Sequence, residues 1–315
     1  MRFNRLDLNL LVALDALLTE HSTTRAARRL NLSQSAMSGA LARLRKYFSD
    51  PLFVPAGRRL VPTPLAESLV GPTRDVLLQI QATIITKPGF DPKSARRHFT
   101  IIATDYFTAV FLPGLAARVH RMAPGITMEV LPFGGDLHAR LDRGEVDFLV
   151  VPDRYKVEGH PSEVLFTDRY TCIAWKGSRS VGKRLSLEHY LALGHVVTRF
   201  GISHRATLDE VMLQRAGHQR RIEVVTNNFI SVPYLVVGTN RIATVHLRLA
   251  RQAVASLPIR IVSPPLAFPP VMETVQWHRH AESDPGHQWL RSQLRAIAGV
   301  GRHRHLGLND RNRRS

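Results

Sequence analysis

The sequence predicts an α/β protein with an N-terminal winged helix-turn-helix, a long linker helix, and a two-lobed, doubly wound α/β domain of periplasmic-binding-protein type. Three observations lead to this fold class. Residues 22–46 carry the apolar spacing of two short helices joined by a turn, a basic hairpin follows, and strands alternate with helices from Arg97 onward. The expected boundaries are 1–62, 63–88 and 89–300, with a basic disordered tail at 301–315.

Residues 22–46 form the predicted helix-turn-helix, above a core helix that runs from Asp7 to Leu18. N-cap candidates open a short helix that ends near Leu30, and Asn31 can adopt the left-handed conformation that stops it. Ser33 then caps a second helix, whose buried stripe contains Met37, Ala40, Leu41, Leu44 and Phe48.

The opposite side of that second helix presents hydroxyl, amide and basic side chains, which suit a helix that reads base edges in a major groove. The residues assigned to DNA here are Ser33, Gln34, Ser35, Ser38, Arg43 and Arg45, together with Thr23 and Thr24 at the start of the first helix. The alternative is an ordinary helical hairpin with a solvated basic face.

A predicted wing follows the helices and favours the DNA interpretation. The apolar segments 52–54 and 59–61 flank Pro55-Ala56-Gly57-Arg58, which indicates two short strands around a tight basic turn. Arg58 and Arg59 are placed to reach phosphates or a neighbouring minor groove.

A connector helix is predicted from Thr63, as N-cap, to Lys87, with Pro64 at its first position. At about 1.5 Å per residue it spans roughly 33 Å, more than the winged domain can cover, so a second copy is the expected partner. The proposed dimerisation stripe contains Leu69, Val76, Leu77, Ile80 and Ile84. Gly71-Pro72 should kink the helix, because proline removes a hydrogen bond and crowds the carbonyl of Ser68. The alternative is a helix that packs only on its own domain.

The remaining chain reads as two α/β lobes with parallel sheets. Lobe I is expected at about 97–162 and 266–300, and lobe II at about 163–265. Two crossings between lobes create a cleft, and ligands bind in such sheets outside the carboxyl ends of the strands.

Net charge and composition limit the classes of function that this chain can have. The net charge of +18 and pI near 11.2 predict attraction to polyanions. The lone Cys172 excludes an intrachain disulfide and a cysteine-based metal site. The sequence lacks nucleophile-elbow, phosphate-loop and zinc-protease motifs, and its His-Arg-His segments at 278–280 and 303–305 lack carboxylate or cysteine neighbours at ligand spacing. We therefore expect no catalysis, cofactor or metal.

The N-terminus lacks a signal-peptide pattern and no segment is long and apolar enough for a membrane span, so a cytoplasmic protein is expected. A solute-binding protein would fit the α/β half but not the winged N-terminus. A nucleoid-packing protein would explain the charge but not the two lobes.

The motifs resemble those of LysR-type transcriptional regulators over roughly residues 1–300. The segments that carry the resemblance are Leu6 to Leu11, Asn31 to Ser38, Leu41 to Lys46, Asp50 to Val54, Leu60 to Pro64 and Gly144 to Leu149. The similarity is greatest to the nodulation-regulator (NodD-like) branch. Ser35 stands where the family usually has proline, which affects the start of the reading helix.

The resemblance implies an activator or dual regulator that bends double-stranded promoter DNA, contacts RNA polymerase and works as a homodimer or homotetramer. It also implies a small inducer in the cleft, which in this branch is usually a flavonoid or related phenolic. The effector positions implied are Thr104, Asp105, Phe107, Gly134, Thr198, Phe200, His204, Phe229 and His246.

Several of these positions have structural alternatives. Phe107 and Phe229 could equally be core residues, His246 and Asp147 fit structural roles, and Gly134 could simply form a turn. The functional alternative is a regulator of the same fold with a non-phenolic effector, or one that needs no inducer.

Overall fold

The computed structural model describes residues 2–3, 6–56, 59–85, 90–182, 184–200 and 205–306. The chain divides into two compact units, Met1–Pro88 and Gly89–Ser315. Across the described ranges, no helix combines the length and apolar character that crossing a bilayer requires.

The first unit contains five helices and two short hairpins in its described part. In chain order the elements are β1 (Arg2–Phe3), β2 (Leu6–Asp7), α1 (Asn9–Glu20), α2 (Thr23–Arg29), α3 (Gln34–Phe48), β3 (Phe53–Ala56), β4 (Arg59–Pro62), α4 (Pro64–Ser68) and α5 (Val70–Ile85). Strands β3 and β4 pair antiparallel, with Ala56 opposite Arg59. This is the predicted order of helix, helix, helix and wing.

Local rules define the ends of α2 and α3. The hydroxyl of Ser22 caps α2, accepting from the N–H of Arg25, and that of Ser33 caps α3, accepting from the N–H of Ala36. Asn31 separates the helices with a φ of 54°, the left-handed conformation that asparagine tolerates. The predicted stripe of α3 is buried against α1 and α2, with Phe48 at its edge.

The linker is two helices rather than one long kinked helix. The break falls at Leu69, between α4 and α5, and Pro72 occupies the first turn of α5. A proline at position 72 cannot donate to the carbonyl of Ser68, so α5 begins anew where the expected kink would lie.

The linker helices also pack on their own unit. Leu69 and Leu77, both assigned to dimerisation, contact the apolar core of this unit. Arg74 holds α5 to α1 by donating to Asp15 at 2.9 Å and to Thr19 at 3.0 Å. Val76 is exposed and Ile80 is half-buried, whereas the side chain of Ile84 lies outside the described residues.

The second unit alternates strands and helices. Its elements begin with β5 (Arg97–Ala103), α6 (Asp105–Val110), α7 (Leu112–Met122), β6 (Ile126–Pro132), α8 (Leu137–Asp142), β7 (Phe148–Pro152) and β8 (Ser162–Asp168). They continue with β9 (Tyr170–Trp175), α9 (Leu187–Ala192), β10 (Gly194–Phe200), β11 (Arg205–Ala206), α10 (Leu208–Arg215), β12 (Arg221–Thr226), α11 (Val232–Val236), β13 (Ile242–His246), α12 (Leu247–Ser256) and β14 (Ile259–Val262). The chain ends with β15 (Val271–Gln276) and α13 (Pro285–Leu306).

Each lobe is built on a mixed sheet, so the expectation of purely parallel sheets was wrong. In lobe I the order is β6-β5-β7-β15-β8; β5 pairs parallel with β6 and β7, while β15 runs antiparallel to β7 and β8. In lobe II the order is β11-β10-β13-β9-β14, with β12 also on β10, and β9 runs antiparallel to both of its neighbours. These antiparallel strands are β9, the first strand after the chain crosses into lobe II, and β15, the strand on which it returns to lobe I.

The crossing into lobe II lies between β8 and β9, later than the expected boundary near residue 163. The return to lobe I is made by β15 and α13, whose Leu290 and Leu294 enter the lobe I core. Helix α13 continues through Leu306, so residues 301–306 are helical where disorder was expected, and 307–315 lie outside the described residues.

Candidate functional site

The first candidate site is the exposed side of α3 and its approach. Ser33, Gln34, Ser35 and Ser38 are all exposed there, and so is Thr24 on α2, while Thr23 is half-buried. The Ser33 and Ser35 hydroxyls lie 2.9 Å apart, and the amide nitrogen of Gln34 donates to the Ser38 hydroxyl at 3.4 Å. A row of small donors and acceptors therefore lies over the first turns of the helix, where a reading helix contacts base edges.

Arg45 is exposed, as predicted, but its guanidinium donates to backbone carbonyls of the wing. Its Nε donates to the carbonyl of Pro51 at 2.7 Å and its Nη2 to the carbonyl of Phe53 at 2.9 Å. Both donors thereby fasten the end of α3 to the first strand of the wing. Periodicity placed Arg45 on the outer stripe, but the chain turns back at Asp50 and supplies backbone acceptors.

The other predicted cations remain outside the core. Arg43 is 63% exposed, with only a 3.8 Å ion pair to Asp7, and Arg59 is exposed on β4 of the wing. Arg58, at the wing tip, lies outside the described residues. Arg43 and Arg59 are thus available to a polyanion, and exposed cations flanking a polar helix face are typical of phosphate contacts.

The second candidate site is a narrow cleft between the lobes of the second unit, with an enclosed volume of about 30 Å³. Four of the nine predicted effector residues line it: Thr104 after β5, Phe200 at the end of β10, Phe229 before α11, and His246 at the end of β13. Three of the four lie at carboxyl ends of strands, the position where ligands bind in α/β sheets. The enclosed volume has room for about one or two water molecules, so the cleft is nearly closed and a small-molecule ligand requires the lobes to separate.

Two predicted residues have structural contacts instead. Phe107 is fully buried in the lobe I core and stacks on Phe111, with ring centroids 5.0 Å apart. The carboxylate of Asp105 accepts the backbone N–H groups of Phe229, at 2.6 Å, and Ile230, at 2.9 Å. Helix α6 turns Phe107 inward and directs Asp105 at lobe II, so neither lines the cavity.

Two further predicted positions, Thr198 and Gly134, are not among the residues that line the cleft. The hydroxyl of Thr198 donates to the carbonyl of Asn228 at 3.4 Å. Gly134 has a φ of 150°, which only glycine adopts without strain, so a turn requires glycine there. His204 lies outside the described residues. Asp147 accepts from the N–H of Thr100 at 2.8 Å and contacts His287 at 2.9 Å, the structural role expected for it.

An aromatic wall forms one side of the cavity. The ring of His246 stacks on Tyr170, with centroids 5.0 Å apart, and meets the edge of Phe229 at 4.8 Å, and all three line the cleft. Behind them the buried ring of Tyr106 stacks on His246 at 4.1 Å. Burial lowers the pKa of His246 to about 4, so its imidazole is neutral at physiological pH. Such a stack offers flat apolar faces together with polar ring atoms.

Asp168 anchors this wall where the chain passes from lobe I to lobe II. Its carboxylate accepts the phenol of Tyr106 at 2.5 Å, and the backbone N–H groups of Arg169 at 2.8 Å and Arg248 at 3.1 Å. Burial and this nearby carboxylate raise the pKa of Tyr106 well above its ordinary value. The phenol therefore stays protonated and holds its ring in place.

Sequence reasoning missed Glu273, which also lines the cavity. Glu273 lies in β15 and is only 1% exposed. The negative charge of Asp168 acts on its carboxyl group, and no cation among the described residues offsets that charge. Burial, then Asp168, raises its pKa to about 8. A signal was present, because a lone acid inside the apolar run Val271 to Val275 is unusual for a strand.

The histidine-rich segments do not assemble a metal site in the part of the chain that the structure describes. The ring of His278 packs 4.9 Å from that of His160 and 5.1 Å from that of His280. His160 contacts the carboxylate of Asp142 at 2.7 Å.

Comparison with known proteins gives consistent matches to both units. The profile of the bacterial regulatory helix-turn-helix of the lysR family matches residues 8–67, and that of the LysR substrate binding domain matches residues 92–298. Nodulation protein D 1 of Bradyrhizobium diazoefficiens is 45% identical over 294 residues, covering 93% of this chain and 94% of that protein. Nodulation protein D 1 of Rhizobium tropici is 47% identical over 294 residues, covering 93% and 96%.

The fold also matches solved structures. The crystal structure of ArgP from Mycobacterium tuberculosis superposes with a TM-score of 0.66 at 17% identity, covering 93% of this chain and 97% of that one. At this identity the likeness concerns the fold.

Proposed function

The chain belongs to the LysR family of transcriptional regulators, a DNA-binding regulator and not an enzyme, and from that premise we propose that a planar phenolic inducer of the flavonoid class controls it. The observation that carries this proposal is the aromatic lining of the cleft between the lobes, which contains Phe133, Tyr155, Tyr170, Phe200, Phe229 and His246. Two relatives at 45% and 47% identity bear the name Nodulation protein D 1, and this likeness supports the proposal.

On the DNA side, the proposal assigns base reading to Gln34, Ser35 and Ser38, and phosphate contact to Arg43 and Arg59. The support is their exposure around the first turns of α3 and on the wing. The N-terminal end of α3 adds the partial positive charge that helix dipoles direct at phosphates.

For assembly, the proposal is a homodimer or homotetramer that bends promoter DNA and contacts RNA polymerase. Val76 remains exposed on α5, and Ile80 is only half-buried, so part of the expected dimerisation stripe is left for a second copy. Two copies would present two reading helices to a two-fold symmetric operator. Sedimentation of the full chain tests this, and a monomer at operator-binding concentrations would contradict it.

The experiment that tests the function is a footprint on DNA upstream of this gene and its neighbours, at physiological salt. The purified full chain is added with and without a panel of flavonoids and small aromatic acids. A protected, roughly symmetric site whose pattern changes with a flavonoid is the expected result. Protection that no compound alters would overturn the phenolic inducer and leave an inducer-independent regulator. A response to an aromatic acid alone would identify a non-phenolic effector class.

A further inference from the structure

We propose that Glu273 and His246 make the inter-lobe cavity selective for an uncharged, hydroxyl-bearing planar ligand and exclude carboxylates. This inference rests on the effector site proposed above and assigns its specificity to two side chains. Neither a metal nor a cofactor enters the selection, which depends on hydrogen bonds and charge alone.

The first observation is an unpaired acid. Oε2 of Glu273 is buried and has no hydrogen-bond partner among the described residues, although the side chain lines the cavity. Native proteins pair nearly all buried polar atoms, so an orphan at a cavity wall marks a ligand contact. Strand β15 places Glu273 on the lobe I side, opposite the residues that lobe II contributes.

The second observation is an unpaired imidazole on the other wall. Nδ1 of His246 is also buried without a partner in the described part of the chain. Tyr106 and Tyr170 both stack on this ring, at 4.1 and 5.0 Å between centroids, which restricts its plane. A flat ligand between the lobes can therefore meet one polar atom from each lobe.

The third observation is the distribution of charge. Asp168 is the nearby acid, and Tyr106 and Tyr170 are the phenols around it. Arg248 reaches this region through its backbone N–H, while its guanidinium lies over the ring of Phe166 at 4.6 Å. The one described cation that lines the cavity is Arg154, which is exposed and lies against Tyr155 at 4.9 Å.

These surroundings keep both groups neutral. With a pKa raised to about 8, Glu273 is protonated at physiological pH, so it can both donate and accept a hydrogen bond. With a pKa lowered to about 4, His246 is an uncharged imidazole. A ligand hydroxyl or ketone pairs with such groups, whereas a ligand carboxylate would be buried beside Asp168 without a buried cation.

The test is calorimetric titration of the full chain near about pH 6, where phenols are uncharged and carboxylic acids are ionised. The probes are naringenin, an uncharged polyphenol, and the matched pair methyl p-coumarate and p-coumarate. The wild type should bind naringenin, and should prefer the ester over the acid by about tenfold or more, because pairing a buried polar atom is worth roughly five- to 150-fold.

Three variants locate the selectivity. Glu273→Gln keeps a neutral donor and acceptor, so naringenin affinity should stay within about threefold. Glu273→Met and His246→Phe keep size and stacking but lose the polar atom, and should weaken binding about tenfold or more. Thermal unfolding of each variant checks that it is folded.

A second measurement does not depend on the apolar variants. As pH rises through about 8, Glu273 ionises, so naringenin affinity should fall more steeply for the wild type than for Glu273→Gln. Equal binding of ester and acid, unchanged affinity in Glu273→Met, or parallel pH profiles would each overturn the inference while leaving a phenolic effector. Absence of binding by every probe would overturn the phenolic effector as well.

Discussion

Asp105 of lobe I accepts the backbone N–H of Phe229, in lobe II, across 2.6 Å. The same carboxylate takes the next N–H, that of Ile230, and the ring of Phe229 lies in the core cluster of lobe I. A carboxylate, two backbone N–H groups and an apolar ring therefore connect the two lobes at this point. Burial raises the pKa of Asp105, and the two N–H groups oppose that rise.

Asp105→Ala should destabilise the second unit by about 1–3 kcal/mol, because it leaves two N–H groups without an acceptor. Urea unfolding followed by tryptophan fluorescence measures this, since all three tryptophans lie beyond residue 89. Asp136→Ala is the matched control, as Asp136 caps α8 by accepting from the N–H of Ala139 within lobe I. A naringenin affinity altered by Asp105→Ala but not by the control would locate the effect between the lobes.

Gln34→Ala should weaken binding to a specific operator by about 1–3 kcal/mol while leaving random DNA unaffected, because an amide in the major groove discriminates between bases. Fluorescence anisotropy on both DNAs measures the ratio. Arg59→Gln is the contrasting variant, expected to weaken both and to reduce the salt slope by about 0.9. An unchanged ratio for Gln34→Ala would remove Gln34 from the reading face.

Arg45→Ala should loosen the wing rather than alter phosphate contact. The carbonyl of Phe53 would lose its arginine donor, and that of Pro51 would keep only the N–H of Phe53, at a cost of about 1–3 kcal/mol. Faster amide hydrogen exchange across residues 50–56 is the expected signal. Arg43→Ala, at an exposed position two residues away, should leave that exchange unchanged and lower the salt slope of DNA binding. Equal exchange in both variants would contradict the structural role of Arg45.

The variants Phe107→Ala and Phe200→Ala should distinguish a core residue from a residue that lines the cavity. Phe107 is fully buried, so its truncation should cost about 3–5 kcal/mol of unfolding free energy. Phe200 is half-buried and lines the cavity, so its truncation should cost less stability and more ligand affinity. Urea unfolding and naringenin titration of both variants check this, and a larger stability loss in Phe200→Ala would reverse the assignment.

The second unit should lose stability as pH falls from about 6.5 toward 4. His195 is fully buried and contacts the carbonyl of Tyr190 at 2.6 Å, and burial lowers its pKa to about 4. The unfolded chain therefore binds more protons than the folded chain in this range, so acid favours unfolding by up to about 1.4 kcal/mol per pH unit. His195→Gln should flatten the pH dependence of the urea midpoint. An identical pH dependence in that variant would show that His195 is not responsible.

Sequence reasoning predicted features that depend on near neighbours. Ser33 and Asn31 follow capping rules that operate within a few residues, and the α3 stripe follows from helical spacing. The positions of Thr104 and His246 at strand ends followed equally from the alternation of strands and helices.

Features that depend on distant partners could not be predicted. The acceptors of Arg45 exist only because the chain reverses after α3, and the inward turn of Phe107 depends on how α6 packs in its lobe. Glu273 enters the cavity through a strand that returns from lobe II, a pairing with β7 and β8 that spacing along the chain does not reveal. The mixed sheets could not be predicted for the same reason, because the antiparallel pairs of β9 and β15 join strands that lie far apart along the chain.

Cys172 lies buried in β9, and burial raises its pKa to about 12. The thiolate is the form that attacks thiol reagents, so this sulfur is both shielded and unreactive at neutral pH. The sequence contains only this one cysteine, so a maleimide dye would label only new cysteines that are introduced at exposed sites, one in each lobe. The natural chain is therefore a ready background for single-molecule measurements of the distance between the lobes with and without inducer.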